Sequence, residues 1–269
     1  MSSWPHRAKA LRLERLSRHG DGRHLFVPLD HSVSVGPVTA ADRFDNLVAD
    51  IVAGGADAVI VHKGRARFVQ PARFSEAALV IHLSAGTGHA PDVHSKILVG
   101  RVEEAVRMGA DGVSVHVNIG ADTESSQLAD LGAVAAACDR WEMPLLAMVY
   151  PRGPRVRDPQ DPELLAHAVN IAADLGADLV KTTMARSAAE MADVVATSPV
   201  PVLVAGGGGG GDLNEFVTSA LQAGCRGVAV GRRFFQHTDP AAAVRCVARL
   251  LHSEVAPKIT RAPALAGSS

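Results

Sequence analysis

Four short joints constrain this chain more than any other feature of it. Gly55-Ala56-Asp57, Gly109-Ala110-Asp111, Gly176-Ala177-Asp178 and, more loosely, Gly224-Cys225-Arg226 each link a helical stretch to an apolar, β-branched run. Glycine at such a joint supplies the left-handed residue that ends a helix before the chain turns into the next strand. The extended runs are predicted at His24–His31, Ala56–His62, Ala78–Ser84, Gly112–Ile119, Leu145–Tyr150, Asp178–Thr182, Val202–Gly206 and Gly227–Gly231, with starts 32, 22, 34, 33, 33, 24 and 25 residues apart. Those are the dimensions of successive βα units, and eight of them give a closed parallel barrel.

Periodic helices are predicted between them at Lys96–Met108, Ser125–Trp141, Pro162–Leu175, Ala188–Ala196, Leu213–Ala223 and Asp239–Leu251. Asp161 is a plausible N-cap before Pro162 at the first helical position. The segment Lys63–Ala77 holds little helical pattern, which keeps a doubly wound open sheet as the alternative. The expected fold is therefore α/β: a single (β/α)8 TIM barrel over residues 1–269, with an extra N-terminal helix within 1–20 and a frayed tail at 256–269.

Composition narrows the function classes. The 269 residues are 47% hydrophobic with a formal charge of -1. That argues against a disordered chain and removes the basic footprint of a general nucleic-acid binder. No apolar run approaches the roughly 18 residues of a membrane span. Cys138, Cys225 and Cys246 lack CxxC spacing and are odd in number, which fits free thiols in a reducing cytoplasm. The Arg-rich N-terminus has no apolar stretch of the secretory kind. It reads as an amphipathic helix with Leu11, Leu13 and Leu16 facing the body, the alternative being a transit peptide. Only five of the 27 basic residues are Lys, and there is a single Tyr.

Chemistry in such a barrel gathers at the C-terminal ends of the strands. Here those ends carry Asp30 and His31, His62 and Lys63, His82, His116 and Asn118, Tyr150 and Arg152, Lys181, Gly206–Gly211, and Gly231 with Arg232. Lys181 is expected to point into the barrel mouth, where burial disfavours the ammonium and favours a Schiff-base nucleophile. A snorkelling or ion-paired lysine is the competing reading. Lys96 is set aside because it opens a predicted helix, and Lys63 lies one residue past its strand. Tyr150 is either a proton relay or a half-buried aromatic. Asp30 is either a proton-moving carboxylate or a cap. Gly206, Gly207 and Gly208, with Gly231 and Arg232, match the usual barrel phosphate site. His31, Lys63, His116 and Arg152 are further substrate-contact candidates. A metal held by the strand-end histidines is the weaker idea, since no His-x-His or His-x-x-x-His pair occurs at those ends.

Taken together and in order, Val27-Pro28-Leu29-Asp30-His31, His62-Lys63-Gly64, Ile81-His82-Leu83-Ser84, Val113-Ser114-Val115-His116-Val117-Asn118, Met148-Val149-Tyr150-Pro151-Arg152-Gly153, Leu179-Val180-Lys181-Thr182, Val204-Ala205-Gly206-Gly207 and Gly231-Arg232 are specific. The chain resembles the archaeal-type class I aldolase family, which joins fructose-bisphosphate aldolases to amino-heptulosonate synthases. Leu146-Ala147-Met148-Val149 looks more like the synthase branch. The resemblance implies a Schiff-base lysine at Lys181, a relaying tyrosine at Tyr150, an acid/base aspartate at Asp30, phosphate at the two glycine loops, no metal or organic cofactor, and a homo-oligomer. Thr182-Thr183-Met184-Ala185-Arg186, Arg233 and the six-glycine run depart from the family pattern.

The implied reaction joins dihydroxyacetone phosphate, or a related phosphorylated ketone, to an aldehyde such as aspartate semialdehyde, giving an amino-C7 precursor of 3-amino-4-hydroxybenzoate-type compounds. Sibling activities are those of a 2-amino-3,7-dideoxy-D-threo-hept-6-ulosonate synthase or a fructose-bisphosphate aldolase. Outside this class stand a metal-dependent lyase using the histidines and a non-catalytic barrel that binds a sugar phosphate.

Overall fold

The computed structural model describes residues 6–206 and 210–253. The expectations for Gly207, Gly208 and the 256–269 tail lie outside those residues. Eight parallel strands close into a barrel: β1 (His24–Pro28), β2 (Ala58–Val61), β3 (Ala78–His82), β4 (Gly112–Ile119), β5 (Leu145–Pro151), β6 (Leu179–Thr182), β7 (Val202–Ala205) and β8 (Gly227–Ala229). Closure is made by β1 against β8, with His24, Leu25 and Phe26 opposite Gly227, Val228 and Ala229. That pairing disposes of the open-sheet alternative. The helices are α1 (Arg7–Arg15), α2 (Phe44–Ala53), α3 (Val102–Arg107), α4 (Glu124–Trp141), α5 (Pro162–Asp174), α6 (Ala188–Thr197), α7 (Leu213–Gln222) and α8 (Pro240–Leu251). Among the described residues none is long and apolar enough to cross a membrane.

Strand pleating sorts the side chains into two layers. Phe26, Ile60, Val80, Leu146, Met148, Leu179 and Leu203 fill the barrel interior. Their alternates, including Val27, Val59, Ile81, Val149, Val180 and Val204, form the layer under the helices. Asp161 accepts from the amides of Glu163 and Leu164, as its place before Pro162 predicts.

The glycine of each joint has positive φ: Gly55 at 102°, Gly109 at 74°, Gly176 at 98° and Gly224 at 87°. The aspartates that follow have a second use. Asp57 accepts the amide of Leu25 at 2.6 Å, Asp111 that of Leu79 at 3.0 Å, and Asp178 that of Leu145 at 2.8 Å. Each aspartate thus fixes the start of the strand preceding its own. Two of them also hold cations from the N-terminal helix, Arg15 on Asp111 at 3.1 Å and Lys9 on Asp178 at 3.0 Å.

Helix α1 lies under the N-terminal ends of the strands. Leu16, just past its end, is buried in the interior cluster with Leu13 against it. Leu11 is 57% exposed, contrary to the expected three-leucine face. Leu11 and Leu13 are two apart and so stand on opposite sides of a helix.

Two other expectations change. The Lys63–Ala77 segment forms one helical turn, Lys63–Ala66, and a 3-10 stretch, Pro71–Ser75. The helix predicted from Lys96 begins only at Val102, because Ile97–Leu98 pairs antiparallel with Ser84–Ala85 and must be extended. Glu104 then accepts the Arg101 amide at 2.9 Å and fixes the later start.

Candidate active site

The strand ends open into one cavity of about 370 Å³. Lys181 reaches it because it shares the inward parity of Leu179 on β6. Its side chain is 6% exposed, and its Nζ lies 3.9 Å from Met148 Sδ, the residue paired with it on β5. Among the described residues no ion pair holds its ammonium. Tyr150, 4% exposed, faces inward one layer above Met148, between the His116 ring at 5.0 Å and the Arg152 guanidinium at 4.2 Å.

Asp30 follows β1 and leads into the one-turn helix His31–Ser34 without bonding its amides, so its carboxylate is left to the cavity. His82 Nε2 lies 3.7 Å from one oxygen and His31 Nδ1 3.6 Å from the other. Burial pushes the Asp30 carboxyl up, but His82, His31, Lys181 and His62 outweigh it and hold it below its ordinary range. Burial itself lowers His31, His62 and His116, and takes His82 to about 4.

His82 is fixed through Nδ1 on Ser114 Oγ at 2.8 Å, and His62 through Nδ1 on the His82 carbonyl at 3.1 Å. His116 Nε2 meets Asn118 Oδ1 at 2.8 Å, and Asn118 Nδ2 donates to the His94 carbonyl at 2.7 Å. Among the described residues, no three of these strand-end groups bring metal-ligating atoms within 4.8 Å of one another.

Gly206, Gly231 and Arg232 line the side of the cavity formed by the ends of β7 and β8. Gly206 donates its amide to Ala229 and so continues the strand ladder. At Gly231 a Cβ would stand 2.6 Å from the Pro28 carbonyl and 2.7 Å from His31 Cε1, so only glycine lets β1 and the loop after β8 approach this closely. Among the described residues nothing occupies the amides of Gly231 or Arg232.

Two expectations are corrected. Lys63 does not line the cavity; Glu104 takes its Nζ at 2.8 and 2.9 Å. Lys96, set aside on the sequence, does line it, with Nζ on the carbonyls of Val93 and Ser95 at 3.3 and 3.2 Å. Burial, reinforced by Arg152, lowers its pKa. Among the lining residues Asp30 is the one carboxylate, facing Lys96, Arg152, Lys181 and Arg232.

Of the departures from the family pattern, Thr182-Thr183-Met184-Ala185-Arg186 and Arg233 are not among the residues lining the cavity, whereas Gly206, which opens the glycine run, is. Arg186 pairs with Asp158, Asp161 and Glu190, tying the loop after β5 to α6. Arg233 donates to the Gly211 carbonyl at 2.6 Å, anchoring the end of the glycine run.

A buried amine, a phenol and an ionised carboxylate at one barrel mouth suit carbonyl chemistry through an imine, and a similar solved structure is that of a Schiff-base-forming fructose-1,6-bisphosphate aldolase. The 2-amino-4,5-dihydroxy-6-oxo-7-(phosphonooxy)heptanoate synthase of Streptomyces griseus is 51% identical over 260 residues, 96% of this chain and 95% of the relative. The 2-amino-3,7-dideoxy-D-threo-hept-6-ulosonate synthase of Halobacterium salinarum is 39% identical over 258 residues, 95% of this chain and 96% of that one. An archaeal fructose-1,6-bisphosphate aldolase, solved with its catalytic Lys covalently bound to the carbinolamine intermediate of the substrate, superposes with a TM-score of 0.80 at 26% identity, over 91% of this chain and 100% of the other. Residues 24–237, from the first strand through the turn after the last, match the DeoC/LacD family of aldolases, and the chain belongs to that family as a carbon–carbon lyase.

Proposed function

We propose that this aldolase is a class I enzyme that joins dihydroxyacetone phosphate to aspartate semialdehyde, the product being the amino-C7 phosphate for which its Streptomyces relative is named. The observation that carries the reading is Lys181, a buried amine without an ion-pair partner among the described residues. Its Nζ adds to the ketone carbon, and the carbinolamine loses water to give an iminium. Loss of a proton from the adjacent carbon yields an enamine, whose carbon attacks the aldehyde while the aldehyde oxygen takes up a proton. Water then returns to the iminium carbon, releasing product and the free amine. Asp30, held ionised, suits proton removal, and Tyr150 suits delivery at the carbinolamine or aldehyde oxygen.

The charge distribution supports a substrate with two anionic ends. The open amides of Gly231 and Arg232, with the Arg232 guanidinium, suit the phosphate. Lys96 and Arg152 lie together near His116, as their shared influence on that ring requires, and suit the acceptor's carboxylate. His31 and His116 are left as contacts for substrate hydroxyls. Borohydride added with dihydroxyacetone phosphate should reduce the iminium and leave a stable adduct on the Lys181 peptide by mass spectrometry. An enzyme that stays unlabelled and fully active would overturn the proposal.

The reading includes a cytoplasmic homo-oligomer. The buried free thiols of Cys138 and Cys225 suit a reducing compartment, and sedimentation at micromolar concentration measures the assembly.

A further inference from the structure

We propose that His19, Asp57 and His252 form a binding site for one divalent transition-metal ion of the zinc class, beneath the barrel and at the opposite end from the catalytic cavity. The three residues come from distant parts of the chain: the segment between α1 and β1, the joint before β2, and the residue after α8. One ligating atom from each lies within 4.8 Å of the other two, and the two imidazole rings stand 4.0 Å apart. Two nitrogens and a carboxylate oxygen are a ligand set that suits zinc.

His252 carries the argument. Its side chain is 8% exposed, and its Nδ1 lies 2.8 Å from Asp21 Oδ2. A carboxylate that takes the Nδ1 proton fixes the tautomer and leaves the Nε2 lone pair as the ligating atom, the arrangement found around protein-bound zinc. That Nε2 points into the group, 3.2 Å from Asp57 Oδ2. A metal ion between the two atoms would take the place of the proton that otherwise links them. In a tetrahedral site with bonds of about 2.0 Å, neighbouring ligand atoms stand about 3.3 Å apart and aim at a common point rather than at each other. The 3.2 Å pair has that separation already, and His19, the exposed member, closes with a change of side-chain torsion.

Asp57 has the capacity to serve. Its Oδ1 accepts the Arg18 amide at 3.0 Å and its Oδ2 the Leu25 amide, and each carboxylate oxygen accepts more than one partner. Those bonds orient the carboxylate as outer-shell partners orient metal ligands. Three protein ligands leave the fourth position to solvent. Bound there, the ion would tie residue 19 to residue 252, clamping the two ends of the described chain onto one strand joint.

The test uses the full chain without a histidine tag, stripped with chelator and dialysed against zinc. Plasma mass spectrometry should find one zinc per chain, and the melting temperature should rise by several degrees on loading. His19→Ala, a change at an exposed position, should fold normally and lose both effects. His252→Ala should lose the zinc-dependent shift from a lower starting Tm. Asp21→Asn should weaken zinc about 10- to 100-fold while retaining the stoichiometry. A wild-type chain that retains no zinc and shows no shift overturns the proposal. So does zinc that survives His19→Ala but is lost in His82→Ala, since it would then be bound at the catalytic end.

Discussion

At the scale of single residues, Lys181 sets the sharpest expectation. Lys181→Met keeps the volume and removes the amine from its place beside Met148 in the cavity. We expect kcat/KM to fall at least about a thousand-fold with Tm unchanged or raised. Lys96→Met separates the two substrates. Removing a charged contact to the acceptor carboxylate should raise KM for the anionic aldehyde about 10- to 100-fold. Exchange of the dihydroxyacetone phosphate proton, which needs no aldehyde, should continue at the same rate; a parallel loss of exchange would assign Lys96 to the wrong end of the cavity. His82 gives a pH signature. Burial takes its pKa to about 4 in the folded protein, from an ordinary 6.5. The unfolded chain therefore binds this proton first as pH falls, and stability is lost between about pH 6.5 and 4, by about 3 kcal/mol at the lower end. His82→Asn should flatten that part of the urea-derived stability profile, and an unchanged slope would contradict the assignment. Lys181, Tyr150, Asp30 and Arg152 were legible in the sequence because strand ends are countable. Lys96 was not, because its side chain enters the cavity from a loop whose path depends on a two-residue strand pairing that periodicity does not register.

At the scale of elements, the joints were legible and their second use was not. A helix-ending glycine leaves a local mark in the sequence, whereas the amide that Asp111 accepts belongs to Leu79, 32 residues earlier. Asp111→Ala leaves that amide without its partner and frees Arg15, which should lower stability by about 1–3 kcal/mol in denaturant titration, with activity retained. Helix α2 also escaped the sequence reading. Yet Phe44, Leu47, Val48, Ile51 and Val52 are its buried residues and recur at helical spacing, so the signal was present. The overlong helix expected from Lys96 fails for the reverse reason: Ile97 and Leu98 look like a helical face but pair with Ser84–Ala85 as a ribbon.

At the scale of the whole molecule, the barrel divides its labour between its two ends. The lower end is closed by Leu16 and braced by Arg15 and Lys9 on the joint aspartates, while the upper end holds the cavity. Leu16→Ala removes a buried plug and should cost about 2–5 kcal/mol of stability while leaving KM for either substrate unchanged. A change in KM would mean that the two ends are coupled. The barrel was the favoured reading from strand spacing and the repeated joints, because eight regular units leave few topologies to choose among, and the pairing of β1 with β8 removed the open sheet that had stood as the alternative.

Tyr150, buried between His116 and Arg152 beside the Schiff-base candidate, is also the single tyrosine of the chain. Growth on 3-fluorotyrosine would therefore give the entire 269-residue protein one fluorine resonance, in the candidate active-site cavity. Imine formation, acceptor arrival and product release should then each be visible in the intact protein as movements of a single spectral line, with no assignment problem to solve.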